Sequence, residues 1–502
     1  MSYGVGMNPR IGWIGAQRSG EAVSLLLVCA FLGVFGAQAA VPWRHQLLEG
    51  STILNDCVIC DRISIPKVLR GSFDLVLETS NPVNTTYSLT NIQWQTGDWP
   101  TSGYRLEGYG QLKTGGEVVM RQEMTLQITL YSAEGATHKT FTNAIASIKR
   151  NAPMLQIDLS QTNESLVEFF TLSLCAAPIR ELWFSTGSGL TAGIWKDPTN
   201  HVSRSDILSM DGRVVKTGAA LFSRLGIMPS GVPDLGLDAL DIGPGAEVFY
   251  SIADEVYSET LGPLHPGDLL SSQGRIVKRN KDLTAAFGFK APVADLGLDV
   301  IQLRSKGEIW FSITTNATSP TAGAIGPGDI LSTSGVIIKT NRDLLSRFQP
   351  DKPDFDYGLA ALYVWPSGEI WFATRNGFLD NALGGIPRGT LLSDQGYIVY
   401  RNLELVGAFQ PLEDLADFGL DGVFVVTDAT PTPPETKISQ IISATDSHPL
   451  SLRWGGDAEV FQVEAAQSIP GMFLPVSPGL IDLEWADPAA PPMERYYRLR
   501  SW

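Results

Sequence analysis

Asp234-Leu235-Gly236-Leu237-Asp238 returns as Asp295-Leu296-Gly297-Leu298-Asp299, as Asp356-Tyr357-Gly358-Leu359-Ala360 and as Asp417-Phe418-Gly419-Leu420-Asp421. The copies start 61 residues apart, at 234, 295, 356 and 417. A fixed period of this kind marks a tandem architecture built from one supersecondary unit.

In the unit that starts at Asp295, an apolar run over residues 298–303 is followed by the turn Arg304-Ser305-Lys306-Gly307 and then by Glu308-Ile309-Trp310-Phe311-Ser312. A loop rich in Gly, Thr and Pro reaches Gly328 and leads to Asp329-Ile330-Leu331-Ser332, a turn ending at Gly335, and Val336-Ile337-Ile338-Lys339. The pattern predicts four strands and one short helix. Asn341 suits the helix N-cap and Asp343 its first turn, as do Asn280 with Asp282 and Asn402 with Glu404. Gly274, Gly335 and Gly396 fall where the third turn needs positive φ.

Side chains alternate along a strand. Ile309 and Phe311 therefore face one way and Trp310 the other, so both faces are apolar. A sheet buried on both faces needs a neighbour on each side. Four-stranded sheets stacked around an axis supply one, which is the β-propeller arrangement. An earlier, divergent copy holds Glu181-Leu182-Trp183-Phe184-Ser185, Ser205 to Ser209, and Gly212 to Lys216. It lacks a clear first strand. Residues 420–426 are a first strand without a set of their own, so they would close a ring of four blades by pairing with that earliest set. Five blades, or an open array with residues 170–174 as an extra strand, is the alternative.

The chain has 502 residues, 44% of them apolar, which is enough for several cores. Its formal charge of −16 argues against nucleic-acid binding, which wants basic patches. Arg10 and Arg18 precede an apolar run over residues 22–36 and then Ala37-Gln38-Ala39. That order predicts a signal peptide over 1–39, a secreted, periplasmic or cell-surface protein, and no membrane span after cleavage.

Residues 44–178 read as an antiparallel β domain, a sandwich or a small barrel. Its strands alternate: Leu126, Ile128 and Leu130 share one face and Thr125, Gln127 and Thr129 the other. It carries Cys57-Val58-Ile59-Cys60. A local disulfide between Cys57 and Cys60, half a zinc site completed by Cys175 and a histidine, and a redox pair are the three readings. The repeats fill 179–427, a Pro/Thr linker spans 428–436, and strands follow in 437–502. The fold class is thus all-β.

Leu237-Asp238-Ala239-Leu240 followed by Glu247-Val248-Phe249-Tyr250 resembles the opening of hemopexin-like blades. The resemblance implies a four-bladed binding propeller with an ion in its central channel. Leu452-Arg453-Trp454 and Tyr496-Tyr497-Arg498-Leu499-Arg500 resemble the fibronectin type III pattern, which implies an accessory module. The whole arrangement is similar to uncharacterised secreted bacterial repeat proteins, a likeness that implies no activity.

The repeating acids are the clearest polar constellation. Asp234, Asp295, Asp356 and Asp417 occur in every copy, and Asp238, Asp299 and Asp421 in three, with Ala360 in the fourth. Symmetry sets each group in a ring near the channel mouth, where Ca²⁺ takes carboxylate oxygens. The competing reading is that each Asp bonds the amides of its own turn. Glu247, Glu308 and Glu369 read as rim charges. The loops between second and third strands differ most between copies, and binding concentrates on such loops. They place Trp195, Lys196, His201, Tyr257, Asn316 and Phe378 on a ligand face for an extracellular protein or glycan. His45, His138, His201, His265 and His448 are too scattered for metal spacing, and no catalytic motif is present. The expectation is a secreted, non-catalytic binding or scaffold protein. The alternative is a hydrolase or lyase acting on polysaccharide from the same face.

Overall fold

The computed structural model describes residues 14–16, 42–57, 59–60, 63–162, 167–194, 201–227, 234–290, 294–414, 418–429, 436–442, 450–469, 471–488 and 495–502. The chain is all-β, folded into several antiparallel sheets with short helical turns between them. Most of the leader, the 430–434 Pro/Thr stretch, Trp195, Lys196 and Asp417 lie outside the described residues. Among the described residues no helix is long and apolar enough to cross a membrane.

The N-terminal domain is one large sheet that returns on itself. From Lys67–Ser80 the order runs through Asn84–Thr96, Arg105–Gly115, Arg121–Ser132 and Gly135–Thr142 to Leu155–Gln161. Leu155–Gln161 pairs with Phe169–Ala177, which pairs with Thr52–Asp56, which pairs back with Lys67–Ser80. Of the sandwich and the barrel, the closed sheet matches the barrel. Its interior is filled by inward residues such as Leu69, Trp94, Leu126, Ile128, Leu159 and Phe170. Phe169–Ala177 belongs to this sheet and adds no strand to the repeats.

The repeats form four four-stranded sheets with one strand order. Leu237–Gly243, Ile301–Leu303 and Leu359–Val364 are the first strands of three of them, each next to its own second strand. The fourth sheet is assembled from the two ends of the array. Gly422–Thr427 runs antiparallel to Ile179–Ser185, with Trp183 opposite Phe424. The first strands also pack against one another: Leu237–Gly243 and Leu359–Val364 each touch both Ile301–Leu303 and Gly422–Thr427. Position 241 shows what this crowding does. Its counterparts at the 61-residue step are Gln302, Tyr363 and Phe424, four chemistries at one place. Gln302 Nε2 donates to Asp241 Oδ2 at 3.2 Å, and Gln302 Oε1 accepts from Val364 N at 2.9 Å.

The helices at Asn280, Asn341 and Asn402 each start one residue earlier than expected. Thr340 is the N-cap, and its side chain accepts from Asp343 N, while Asp343 accepts from Thr340 N. Asn341 is the first helical residue and is buried. Its Oδ1 accepts from Tyr357 N, as Asn280 Oδ1 accepts from Leu296 N. The repeated Asn thus ties one unit to the opening turn of the next. Gly274, Gly335 and Gly396 have φ of 77°, 84° and 86°, which a β-carbon would strain.

Residues 436–502 form a three-stranded sheet from Thr436–Ile442, Ser451–Gly456 and Glu484–Ala486, and a second sheet around Phe461–Ala466 and Arg495–Ser501. Ile14–Ala16 adds an edge strand to Arg495–Ser501. Leu452, Trp454, Phe461, Val463 and Tyr497 share one core with Trp183, Tyr250 and Phe424 of the repeats. The C-terminal part is therefore packed on the repeats.

Candidate functional site

First strands run antiparallel to second strands, so the start of the one and the end of the other lie together. Leu237 faces Ile252, and Leu359 faces Thr374. The loops that leave the second strands are therefore on the side where Asp238, Asp299 and Asp421 open the first strands. Each loop carries a small hairpin: Val256–Ser258 with Gly262–Leu264, Ala317–Ser319 with Gly323–Ile325, and Phe378–Asp380 with Gly384–Ile386. Tyr257 is 60% exposed on the first, Asn316 is exposed beside the second, and His201 is exposed opposite Thr191. These three do not meet in one depression.

Phe378 does belong to one. Phe355, Tyr357, Phe378 and Leu379, with Asp351, Lys352 and Asn376, line a shallow depression of about 630 Å³. Phe355 meets Tyr357 edge to face at 4.9 Å, and Tyr357 meets Phe378 at 5.0 Å. Tyr357 is fixed from behind, its hydroxyl donating to Lys352 O at 3.2 Å and to Asp351 Oδ1 at 3.3 Å. Phe378 is buried, while Phe355 is 49% exposed and Leu379 54% exposed. The fixed ring of Tyr357 thus supports an open one. The sequence reading missed Phe355 and Tyr357, although a signal was there. Phe355 stands where the other units have Pro233, Ala294 and Ala416, and Phe378 where they have Val256 and Ala317.

The two sets of repeated aspartates divide sharply. Asp356 Oδ1 accepts from Gly358 N at 2.8 Å and Oδ2 from Gly328 N at 3.2 Å. Asp295 Oδ1 accepts from Gly297 N at 2.8 Å. Asp234 accepts from Ser205 Oγ at 2.7 Å and Arg204 N at 2.9 Å. These carboxylates fasten a unit's opening turn to the loop of the unit before it. Asp238, Asp299 and Asp421 instead lie within electrostatic reach of one another. At the first of them the pairing slips by one residue between Leu237 and Ala239, a bulge that re-aims the side chain of Asp238. Burial raises the Asp238 carboxyl to about 6, with Arg375 and Arg204 opposing. Burial and then Asp238 raise Asp421 to about 7. Asp299, only 2% exposed, is raised well above the ordinary range by burial, against the pull of Arg375. Arg375 Nη2 donates to Asp299 Oδ1. Among the described residues no group of three or more His, Cys, Asp or Glu side chains is arranged to hold a metal ion. The Arg375, Arg204 and Arg388 guanidinium groups are the cations within reach of these acids.

Glu369 is buried, which corrects its reading as a rim charge. It accepts from Arg150 Nη2 at 2.9 Å, Trp371 Nε1 at 2.9 Å and Ser393 Oγ at 2.7 Å, and also from Tyr397. Arg150 comes from the N-terminal domain, and its other amine donates to Cys175 Sγ at 2.8 Å. Glu247 and Glu308 make the same second-to-third-strand bond, to Ser271 and Ser332. Cys57 and Cys60 are joined in a disulfide, and Cys175 is a buried free thiol.

No family model and no curated protein matches the chain. Among solved structures it is similar to the extracellular domain of a B. thetaiotaomicron protein described as a hybrid two-component system. The TM-score is 0.22 at 8% identity, over 86% of this chain and 76% of that one. A second structure from the same organism, described as the extracellular domain of a one-component system, gives 0.18 at 7% identity, over 90% and 95%. At these scores neither carries an argument about fold or ligand.

Proposed function

We propose that this chain is a secreted, non-catalytic binding protein whose repeats form a four-bladed β-propeller and whose loop face takes a ligand at Phe355, Tyr357 and Phe378. The propeller reading is supported by the shared strand order, by the mutual packing of the first strands, and by Gly422–Thr427 pairing with Ile179–Ser185. In this reading the four sheets are blades of the hemopexin-like kind. The two C-terminal sheets are a shortened fibronectin-III-like module. The Cys57–Cys60 disulfide fits the oxidising compartment to which the 1–39 leader points.

The observation that carries the binding reading is the aromatic depression. The other repeats carry Pro or Ala in place of Phe355 and Val or Ala in place of Phe378, so these rings exceed what the repeat pattern calls for. An open ring held by a fixed one, flanked by Lys352 and Asn376, suits a sugar ring or another flat apolar face. The polysaccharide hydrolase or lyase reading calls for a histidine beside Tyr357 and Asp351. The depression's lining has none.

Replacing the exposed ring separates binding from folding. The protein and its Phe355→Ala variant would be probed against an immobilised panel of soluble oligosaccharides. The expected result is retention of at least one oligosaccharide by the parent and a loss of about tenfold or more in the variant, the weight of a well-used aromatic anchor. The melting temperature should stay put. Retention that is unchanged in the variant would refute this site.

A further inference from the structure

We propose that Asp238, Asp299 and Asp421 form a receptor site for one ammonium or guanidinium group, delivered by a lysine or arginine side chain or by a free polyamine. This site stands on the axial acids and does not depend on the aromatic depression.

Three carboxylates enter one mouth from equivalent positions of three units, and Ala360 leaves the fourth position without a side-chain charge. Three guanidinium groups, Arg375, Arg204 and Arg388, lie within electrostatic reach of these acids, but only Arg375 bonds one of them. Arg375 bonds Asp299 through Oδ1. Asp299 Oδ2 is buried and has no hydrogen-bond partner, which in a folded protein calls for a missing donor. The side chains of Asp238 and Asp421 make no hydrogen bond or ion pair among the described residues. Of the other cations near them, Arg204 is engaged by Asp234 and Asp254, and Arg388 lies within electrostatic reach of Asp421. Asp254 adds a further negative charge beside Asp238.

Asp238 and Asp421 are each partly exposed. A β-carbon on Gly187 would sit 2.9 Å from Asp421 Oδ2, so glycine keeps that wall back. The geometry selects the kind of cation. A metal such as Ca²⁺ needs its oxygens gathered at about 2.3–2.6 Å, and the described acids are not so gathered. A group with several N–H donors spreads its contacts over about 2.7–2.9 Å from each oxygen and can serve carboxylates that stand apart. Arg375 shows that a guanidinium is accepted there.

The test is calorimetric titration of the intact protein with three probes: spermidine, acetyl-Gly-Lys-Gly-amide with its arginine counterpart, and calcium chloride. The proposal expects saturable binding of spermidine or of a peptide, and which of the two binds identifies the source. Asp238→Asn and Asp421→Asn should each weaken that binding roughly ten- to a hundredfold, the weight of one charged hydrogen bond. Neither side chain has a bond in the fold to lose, so the melting temperature serves as control. Ala360→Asp, which supplies the fourth acid, should tighten binding. Phe355→Ala should leave it unchanged, so failure here and failure at the aromatic depression are distinguishable. Absence of binding by all amine probes, amine binding indifferent to these substitutions, or calcium binding that they abolish would each overturn the proposal.

Discussion

Asp428 is the residue on which three parts of the chain meet. Its carboxylate accepts from Arg180 Nε at 2.8 Å, Arg500 Nη2 at 2.7 Å, Trp502 Nε1 at 2.8 Å and the amide of Arg44 at 3.0 Å. Arg44 belongs to the barrel, Arg180 to the repeats, and Arg500 and Trp502 to the C-terminal part. Burial alone would raise this carboxyl, but Arg180 and Arg500 hold it below the usual range. Its stabilising effect is therefore present at neutral pH and lost in acid, as pH falls from the ordinary value through the lowered one. Asp428→Ala leaves the Arg180 guanidinium with little solvent and no ion-pair partner among the described residues, and Arg500 with only Glu464 at 3.9 Å. The expected loss is about 3–5 kcal/mol, read by urea unfolding at pH 7. A loss under about 1 kcal/mol, the worth of a surface pair, would show the joint to be ornamental. Nothing in the sequence marks Asp428, because it occurs once. Repetition advertised Asp234, Asp295 and Asp356, and these turned out to tie turns. Repetition reveals what every unit needs, whereas Phe355, Phe378 and Ala360 mark where the copies differ.

At the scale of elements, alternating apolar residues and turn glycines were enough to place most strands. Four-residue ends such as Arg275–Lys278 and Val336–Lys339 were legible because a positive-φ glycine precedes each. Trp43–Leu47 and Thr52–Asp56, which help to close the barrel, were not. His45 lies inward in the first of them, stacked on Phe73 at 5.2 Å, and burial pushes its imidazole down to about 4. It behaves as a neutral ring, yet in a sequence it reads as polar. The strand that joins the array's ends makes the element-scale prediction. Phe424 is buried between Trp183 at 6.0 Å and Tyr363 at 6.3 Å. Phe424→Ala should cost about 3–5 kcal/mol, from lost burial plus the cavity left behind. Tyr109→Ala, on the exposed face of the barrel, should cost almost nothing in the same urea titration. Equal costs would mean that Gly422–Thr427 contributes no more than surface decoration.

For the molecule as a whole, the acids that burial has shifted upward set its response to pH. Asp238 sits at about 6, Asp421 and Glu459 at about 7, and Asp241 at about 8. Burial is the leading cause for each, with Glu459 adding to Asp241 from the C-terminal part. In the unfolded chain these groups ionise near 3.8 for Asp and 4.5 for Glu. Between those values and the raised ones the folded state holds more protons than the unfolded state, so stability falls as pH rises. The decline starts above the unfolded values and runs until the raised carboxyls have ionised. Paired acids such as Asp428 act in the opposite sense, but below that window. Scanning calorimetry at constant ionic strength should therefore give a higher melting temperature at pH 5 than at pH 8. Asp421→Asn, which removes one of these shifted groups without removing a bond, should flatten the slope. A melting temperature that climbs from pH 5 to pH 8 would mean that these carboxyls are already ionised in the fold and that something else balances them. The nearest such balance would be a cation held permanently among Asp238, Asp299 and Asp421, in which case the slope should reappear after exhaustive dialysis into amine-free buffer.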